Sequence, residues 1–144
     1  MIMSNRHIVA MGGGGFSMEP LNPLLDLYVL NLTGKENPKV CFIPTASGDS
    51  QGYIDRFYKS FGLHKCIPSH LSLFSGQTAD LESFVMEQDV LYVGGGNTRN
   101  LLTLWKEWGL DKIIQKMGFK DSGPQTTVEI SGQKIRCYPM KNLL

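Results

Sequence analysis

The groups in this sequence best suited to chemistry are main-chain N–H donors. Val90-Leu91-Tyr92-Val93 runs into Gly94-Gly95-Gly96 and then Asn97-Thr98. An apolar run, a cluster of glycines and a polar residue opening an amphipathic stretch predict a buried strand, a tight turn and a helix start. Glycines at a strand end let another atom approach the backbone N–H groups, and the dipole of the following helix adds positive potential there. Something negative, or becoming negative during a reaction, is expected at that turn. A second glycine turn, Gly12-Gly13-Gly14-Gly15, follows the apolar segment Ile8-Val9-Ala10-Met11. Ser47, in Thr45-Ala46-Ser47-Gly48, is the best-placed hydroxyl, but no histidine is positioned to activate it.

Sharper motifs fail on inspection. A dinucleotide fingerprint read from Gly12 puts Ser17 where its third glycine or alanine belongs, and one read from Gly13 puts Met18 there. Gly94 to Thr98 lacks the G-K-[ST] of a phosphate-binding loop; Arg99 is the nearest base. His64, Cys66 and His70 match no zinc spacing. No cofactor and no metal are therefore expected. G-x-S-x-G, the signature of a nucleophile on a strand-to-helix turn, does not occur. Glu19, Asp49 and Asp55 read as solvated acids, and Trp105 with Trp108 as core and rim packing.

The elements that must hold these turns follow from periodicity. His7 to Met11, Lys39 to Ile43, a weaker run from Ser69 to Phe74 and Val90 to Val93 are predicted strands. Asn22-Pro23 predicts a helix start with proline at the first helical position and Gly34 as its stop, with Leu24, Leu25, Tyr28, Val29 and Leu32 on one face. Gly52 to Phe61 predicts a helix burying Tyr53, Ile54, Phe57 and Phe61, and Leu81 to Met86 a shorter one. Leu101, Leu102, Leu104, Trp105 and Trp108 lie at helical spacing, with Asn97 or Thr98 as the cap. Alternating strands and helices build a mainly parallel α/β sheet with helices on both faces, and the loops after its strands share one rim.

The 144 residues suffice for one domain with a sizeable core. A formal charge of +1 without any basic cluster argues against nucleic acid and against an anionic membrane surface. Apolar runs are too short to span a bilayer, and the first residues lack the apolar core of a signal peptide. Three cysteines without a C-x-x-C pair suit reduced thiols. A cytoplasmic location is expected.

Ile8 to Phe16, Phe42-Ile43-Pro44-Thr45-Ala46-Ser47-Gly48 and Tyr92-Val93-Gly94-Gly95-Gly96-Asn97-Thr98 together resemble the peptidase E family of serine peptidases, aspartyl dipeptidases related to cyanophycinase. The resemblance runs from about His7 to Lys116. It implies a three-layer sandwich like that of class I glutamine amidotransferases, and hydrolysis after an amino-terminal aspartate through an acyl-enzyme on serine. It also implies a small peptide as ligand. Carried over, the turn supplies an oxyanion-hole N–H from Gly96, with Gly14, Gly15, Ser47, Gly95, Asn97 and Thr98 lining the substrate site.

The pattern departs after Met117. Residues 1–117 read as the N-terminal part of the family's domain, and 118–144 as a divergent tail. Thr127-Val128-Glu129-Ile130 and Lys134-Ile135-Arg136-Cys137-Tyr138 alternate, which predicts a half-exposed β-hairpin rather than the central strand leading to the family's serine. The expectation is a truncated hydrolase, inactive as this chain. Two other readings are a binding module for a small anion or acidic peptide, and a truncated product without function. A sheet ending near the Val90 strand predicts an exposed edge, and self-association or low stability unless the Thr127 to Tyr138 hairpin covers it.

Overall fold

The computed structural model describes residues 6–76, 79–117 and 126–130. Two strands built around apolar runs pair within the sheet: β2 (Lys39–Ile43) and β4 (Val90–Val93), in parallel with Val40 opposite Val90 and Phe42 opposite Tyr92. Around them lie β1 (His7–Met11), β3 (Ile67–His70) and β5 (Thr126–Ile130), in a five-stranded sheet of order β1-β5-β4-β2-β3 with every pairing parallel.

The strands' period of two divides the core between the faces. Val40, Phe42, Val90 and Tyr92 point to one side, under α1 (Leu24–Leu32) and α2 (Gln51–Phe61). Cys41, Ile43, Leu91 and Val93 point to the other, under α3 (Leu81–Met86), α4 (Thr98–Trp108) and α5 (Leu110–Met117). The three-layer α/β architecture expected from the sequence is thus observed. On the first side Phe16 stands among Phe42, Tyr53, Phe57, Phe61 and Tyr92, with ring centroids 5.5 to 5.8 Å away. The predicted buried face of α2 is the one observed, through Tyr53, Ile54, Phe57 and Phe61. Among the described residues no helix is long and apolar enough to cross a membrane.

Four expectations need correction. Helix α1 starts at Leu24, one residue after Pro23, and Asn22 Oδ1 accepts the Leu24 N–H at 3.3 Å. Its buried residues are Asp26, Val29 and Leu30, whereas Leu24 and Tyr28 are 70% and 54% exposed. The helix is rotated so that Asp26 meets Tyr92 on the sheet, a pairing that apolar periodicity cannot reveal. The third strand begins two residues earlier than predicted and ends at His70.

The largest correction concerns the tail. Thr126–Ile130 is not the first arm of an antiparallel hairpin. It runs parallel between β1 and β4, with Thr126 opposite both His7 and Val90. A strand has two hydrogen-bonding edges, and both are occupied, so no edge remains for a hairpin partner. The predicted second arm, 134–138, lies outside the described residues. Strand β5 also covers the β4 edge, which removes the reason for expecting self-association there.

Candidate functional site

Adjacent parallel strands whose following helices lie on opposite faces open a crevice at their carboxyl ends, where ligands bind in such sheets. β2 and β4 are such a pair: β2 is followed by α2 on one face and β4 by α4 on the other. The loops that meet at this crevice are Pro44 to Gly48 and Gly94 to Thr98.

They are joined main chain to main chain. Gly94 N–H donates to the Ile43 carbonyl at 3.0 Å, the last rung between the strands. Asn97 N–H then donates to the Ala46 carbonyl at 2.7 Å. Between these bonds Gly96 takes φ +147°, and a Cβ there would lie 2.3 Å from the Ala46 oxygen, so no other residue fits. Gly94 is needed for a different reason: a Cβ would press on the Tyr53 and Phe42 rings at 2.9 and 3.0 Å.

Asn97 caps α4 as predicted, its Oδ1 accepting the Asn100 N–H at 3.1 Å. Thr98 opens the helix and is exposed, as are Gly96 and Arg99, while Gly95 is half-buried. Among the described residues the Gly95 and Gly96 N–H groups have no hydrogen-bond partner. Free donors near the positive end of an eleven-residue helix have the chemistry to donate to an oxyanion or carboxylate. A buried bond braces the arrangement from behind: the Trp105 indole N–H donates to Thr45 Oγ1 at 3.3 Å, tying α4 to the loop after β2.

Ser47 lies against this turn, half-buried, and its hydroxyl donates to the Pro44 carbonyl at 2.9 Å. No hydrogen bond among the described residues joins a serine to a histidine; His70 Nδ1 instead pairs with the Tyr58 hydroxyl at 2.8 Å. Asp49 bridges loops, its Oδ2 accepting the Phe74 N–H at 2.9 Å. Burial raises its carboxyl above the usual range, opposed by that N–H and by the nearby His70. Burial also pushes the Cys41 thiol up to about 12, which makes it a packing residue rather than a nucleophile.

Gly14 and Gly15 belong to the other glycine turn, after β1. No hydrogen bond among the described residues links the two glycine turns. Gly14, at φ +87°, faces the Leu25 and Glu19 side chains, and its N–H points to the Met18 sulfur at 3.3 Å. Gly15 is buried, facing the Tyr92 hydroxyl and Asp26. Sequence reasoning missed the Asp26–Tyr92 and Thr45–Trp105 pairs. The available signal was Asp26 itself, an acid within the apolar run from Leu24 to Leu30.

The model of Peptidase family S51 matches residues 8–122. The chain belongs to that family. Two bacterial relatives named as uncharacterized peptidases match as well. YgaJ of Bacillus subtilis is 66% identical over 111 residues, covering 77% of this chain and 48% of that protein. Lmo0363 of Listeria monocytogenes is 31% identical over 100 residues, covering 68% and 47%. The S51 chain therefore spans about half the length of the curated relatives it matches. A Listeria monocytogenes protein solved at 1.5 Å as a candidate peptidase E shares the fold, with a TM-score of 0.64 at 20% identity over 88% of this chain and 59% of that one.

Proposed function

We propose that this S51 chain carries the electrophile-stabilising part of a peptidase E-type serine hydrolase site, with the Gly96 N–H as the oxyanion donor. Gly95, Asn97, Thr98 and Ser47 line the ligand on the β2 and β4 loops, and Gly14 and Gly15 bound it on the β1 side. The observation that carries this reading is the clamped Gly96 turn. A donor already fixed against the Ala46 carbonyl needs no reorganisation when charge develops on a substrate oxygen, and one such donor typically contributes about 2.7–4 kcal/mol to barrier lowering. The ligand class is a small peptide beginning with aspartate.

The same reading holds that the 144-residue chain binds such a peptide without forming an acyl-enzyme. Its sequence contains no G-x-S-x-G, and the Ser47 hydroxyl is engaged by the Pro44 carbonyl with no imidazole bonded to it. The experiment is incubation of the pure chain with an aspartyl chromogenic dipeptide, alongside a titration of the same peptide followed at the Gly95 and Gly96 amide resonances. Shifts at those amides without release of chromophore are expected. Sustained turnover that co-purifies with the protein sinks the inactivity, and no shift at either amide sinks the site. Displacement by inorganic sulfate as readily as by the dipeptide favours a general anion seat.

A further inference from the structure

Tyr92 lies on β4 two residues before Gly94, yet its side chain ends beneath the other glycine turn. A Cβ at Gly15 would sit 2.7 Å from the Tyr92 hydroxyl oxygen and 3.3 Å from Asp26 Oδ1. The hydroxyl donates to Asp26 Oδ1 at 3.0 Å inside the core. Asp26 is 0% exposed, and its Oδ2 has no hydrogen-bond partner among the described residues, with the Phe16 N–H near enough only to favour the ionised form weakly. Burying a half-satisfied carboxylate is costly, and apolar replacements of buried charged groups are often neutral or stabilising. Stability is therefore a poor reason for this pair.

Position is a better one. Phe16 anchors the turn's depth in the ring cluster, but the orientation preference of ring contacts is weak beside that of a hydrogen bond. The Tyr92–Asp26 hydrogen bond is directional. It fixes the hydroxyl that lies where a side chain at Gly15 would stand, and Gly15 faces it at φ +66°. We propose that Asp26 and Tyr92 are positioning residues that set the Gly12–Gly15 turn relative to β4, and through it relative to the Gly94–Thr98 turn. This assignment rests on the reading of both turns as walls of one ligand site.

The test is amide hydrogen exchange on the intact chain. Met18 and Glu19 N–H both donate to the Gly15 carbonyl, at 3.2 and 2.9 Å, and so report on the turn; the Gly94 N–H reports on the β2–β4 junction. Tyr92→Phe is expected to speed exchange at Met18 and Glu19 at least about tenfold while leaving Gly94 unchanged. Asp26→Leu is expected to match it. Asp26→Asn, which keeps an acceptor for the hydroxyl, is expected to stay within about threefold of the unaltered chain. Unchanged turn amides in Tyr92→Phe overturn the proposal, and so does equal acceleration at Gly94, which marks a merely structural pair. An aspartyl dipeptide titration of the unaltered chain separates the two layers: no response at Gly14, Gly15, Gly95 or Gly96 removes the shared-site reading and leaves the exchange result standing.

Discussion

The two glycine turns look alike in the sequence and are held by opposite means. Gly96 touches backbone: the Ala46 carbonyl on one side and, through Asn97, a main-chain hydrogen bond to the same oxygen. Gly15 faces side-chain tips: an added Cβ would meet the Tyr92 hydroxyl and the Asp26 carboxyl group. Backbone tied by main-chain hydrogen bonds on both sides, Gly94 to Ile43 and Asn97 to Ala46, cannot retreat without breaking them, whereas a side chain can turn aside at the loss of its own hydrogen bond. The first turn is thus suited to holding a donor still, and the second to a wall whose placement depends on two particular residues.

Adding one methyl group to each turn tests this most strongly. Gly96→Ala meets the Ala46 oxygen at 2.3 Å with φ at +147°, and is expected to destabilise by about 3 kcal/mol or more in urea titrations. Gly15→Ala is expected to cost less, about 2 kcal/mol, because Tyr92 can yield. Gly48→Ala is the control: its φ is +67° but no atom lies within 4 Å of the added carbon, so only the backbone term of about 1 kcal/mol applies. Equal losses at Gly96 and Gly15 would break the comparison.

Next in size is the brace behind the first turn. Thr45→Val keeps the shape of the side chain but leaves the buried Trp105 indole N–H without its acceptor. A loss of about 1–3 kcal/mol is expected, with a displaced Trp105 indole resonance. If the Asn97 amide keeps its protection in this variant, the brace does not position the turn.

What the sequence revealed and what it hid follow the same division between main chain and side chain. β2 and β4 were legible because strands buried on both faces carry continuous apolar runs, here Val40 to Ile43 and Val90 to Val93, and the Gly94–Thr98 turn because glycines and a capping asparagine mark a strand-to-helix junction. β5 was misread because Thr127–Ile130 alternates in polarity, although its place between β1 and β4 is set by the two edges flanking it. The face of α1 was misread because periodicity counts Leu24 and Tyr28 as core and Asp26 as surface, while a hydroxyl on the sheet reverses the choice. The donor turn of the candidate site was therefore readable, and the side-chain pairs that fix its surroundings were not, because their partners lie 60 and 66 residues apart.

Removing the Asn97 cap is expected to have a smaller effect. Asn97→Ala takes away the acceptor for the Asn100 N–H and is expected to cost about 1 kcal/mol. Because the Asn97 main-chain N–H still reaches Ala46, the Gly96 amide should keep its resonance position. A large shift there would mean that the side-chain cap, rather than the backbone clamp, holds the first turn.

The smallest effect expected is one of slope with pH. Burial raises the Asp26 carboxyl above its ordinary 3.8, opposed by the Tyr92 hydroxyl, the charge of His64 and the Phe16 N–H. A group whose folded-state value is raised binds its proton more tightly in the native chain than in the unfolded one, so its contribution to stability is greatest below the unfolded value. That contribution is lost as pH rises through the raised folded value, and stays lost above it. Asp26→Asn has no proton to lose, so the melting temperature of the variant minus that of the unaltered chain is expected to rise from about pH 3 to neutrality. Asp49, raised by its own burial, and Asp80, lowered by the Ser83 N–H, are present in both proteins and cancel in the difference. A difference that falls with pH would mean that hydrogen bonding outweighs desolvation at Asp26. The second turn would then rest on a charge stabilised in place, and its wall would be as firmly set as the main-chain clamp at Gly96.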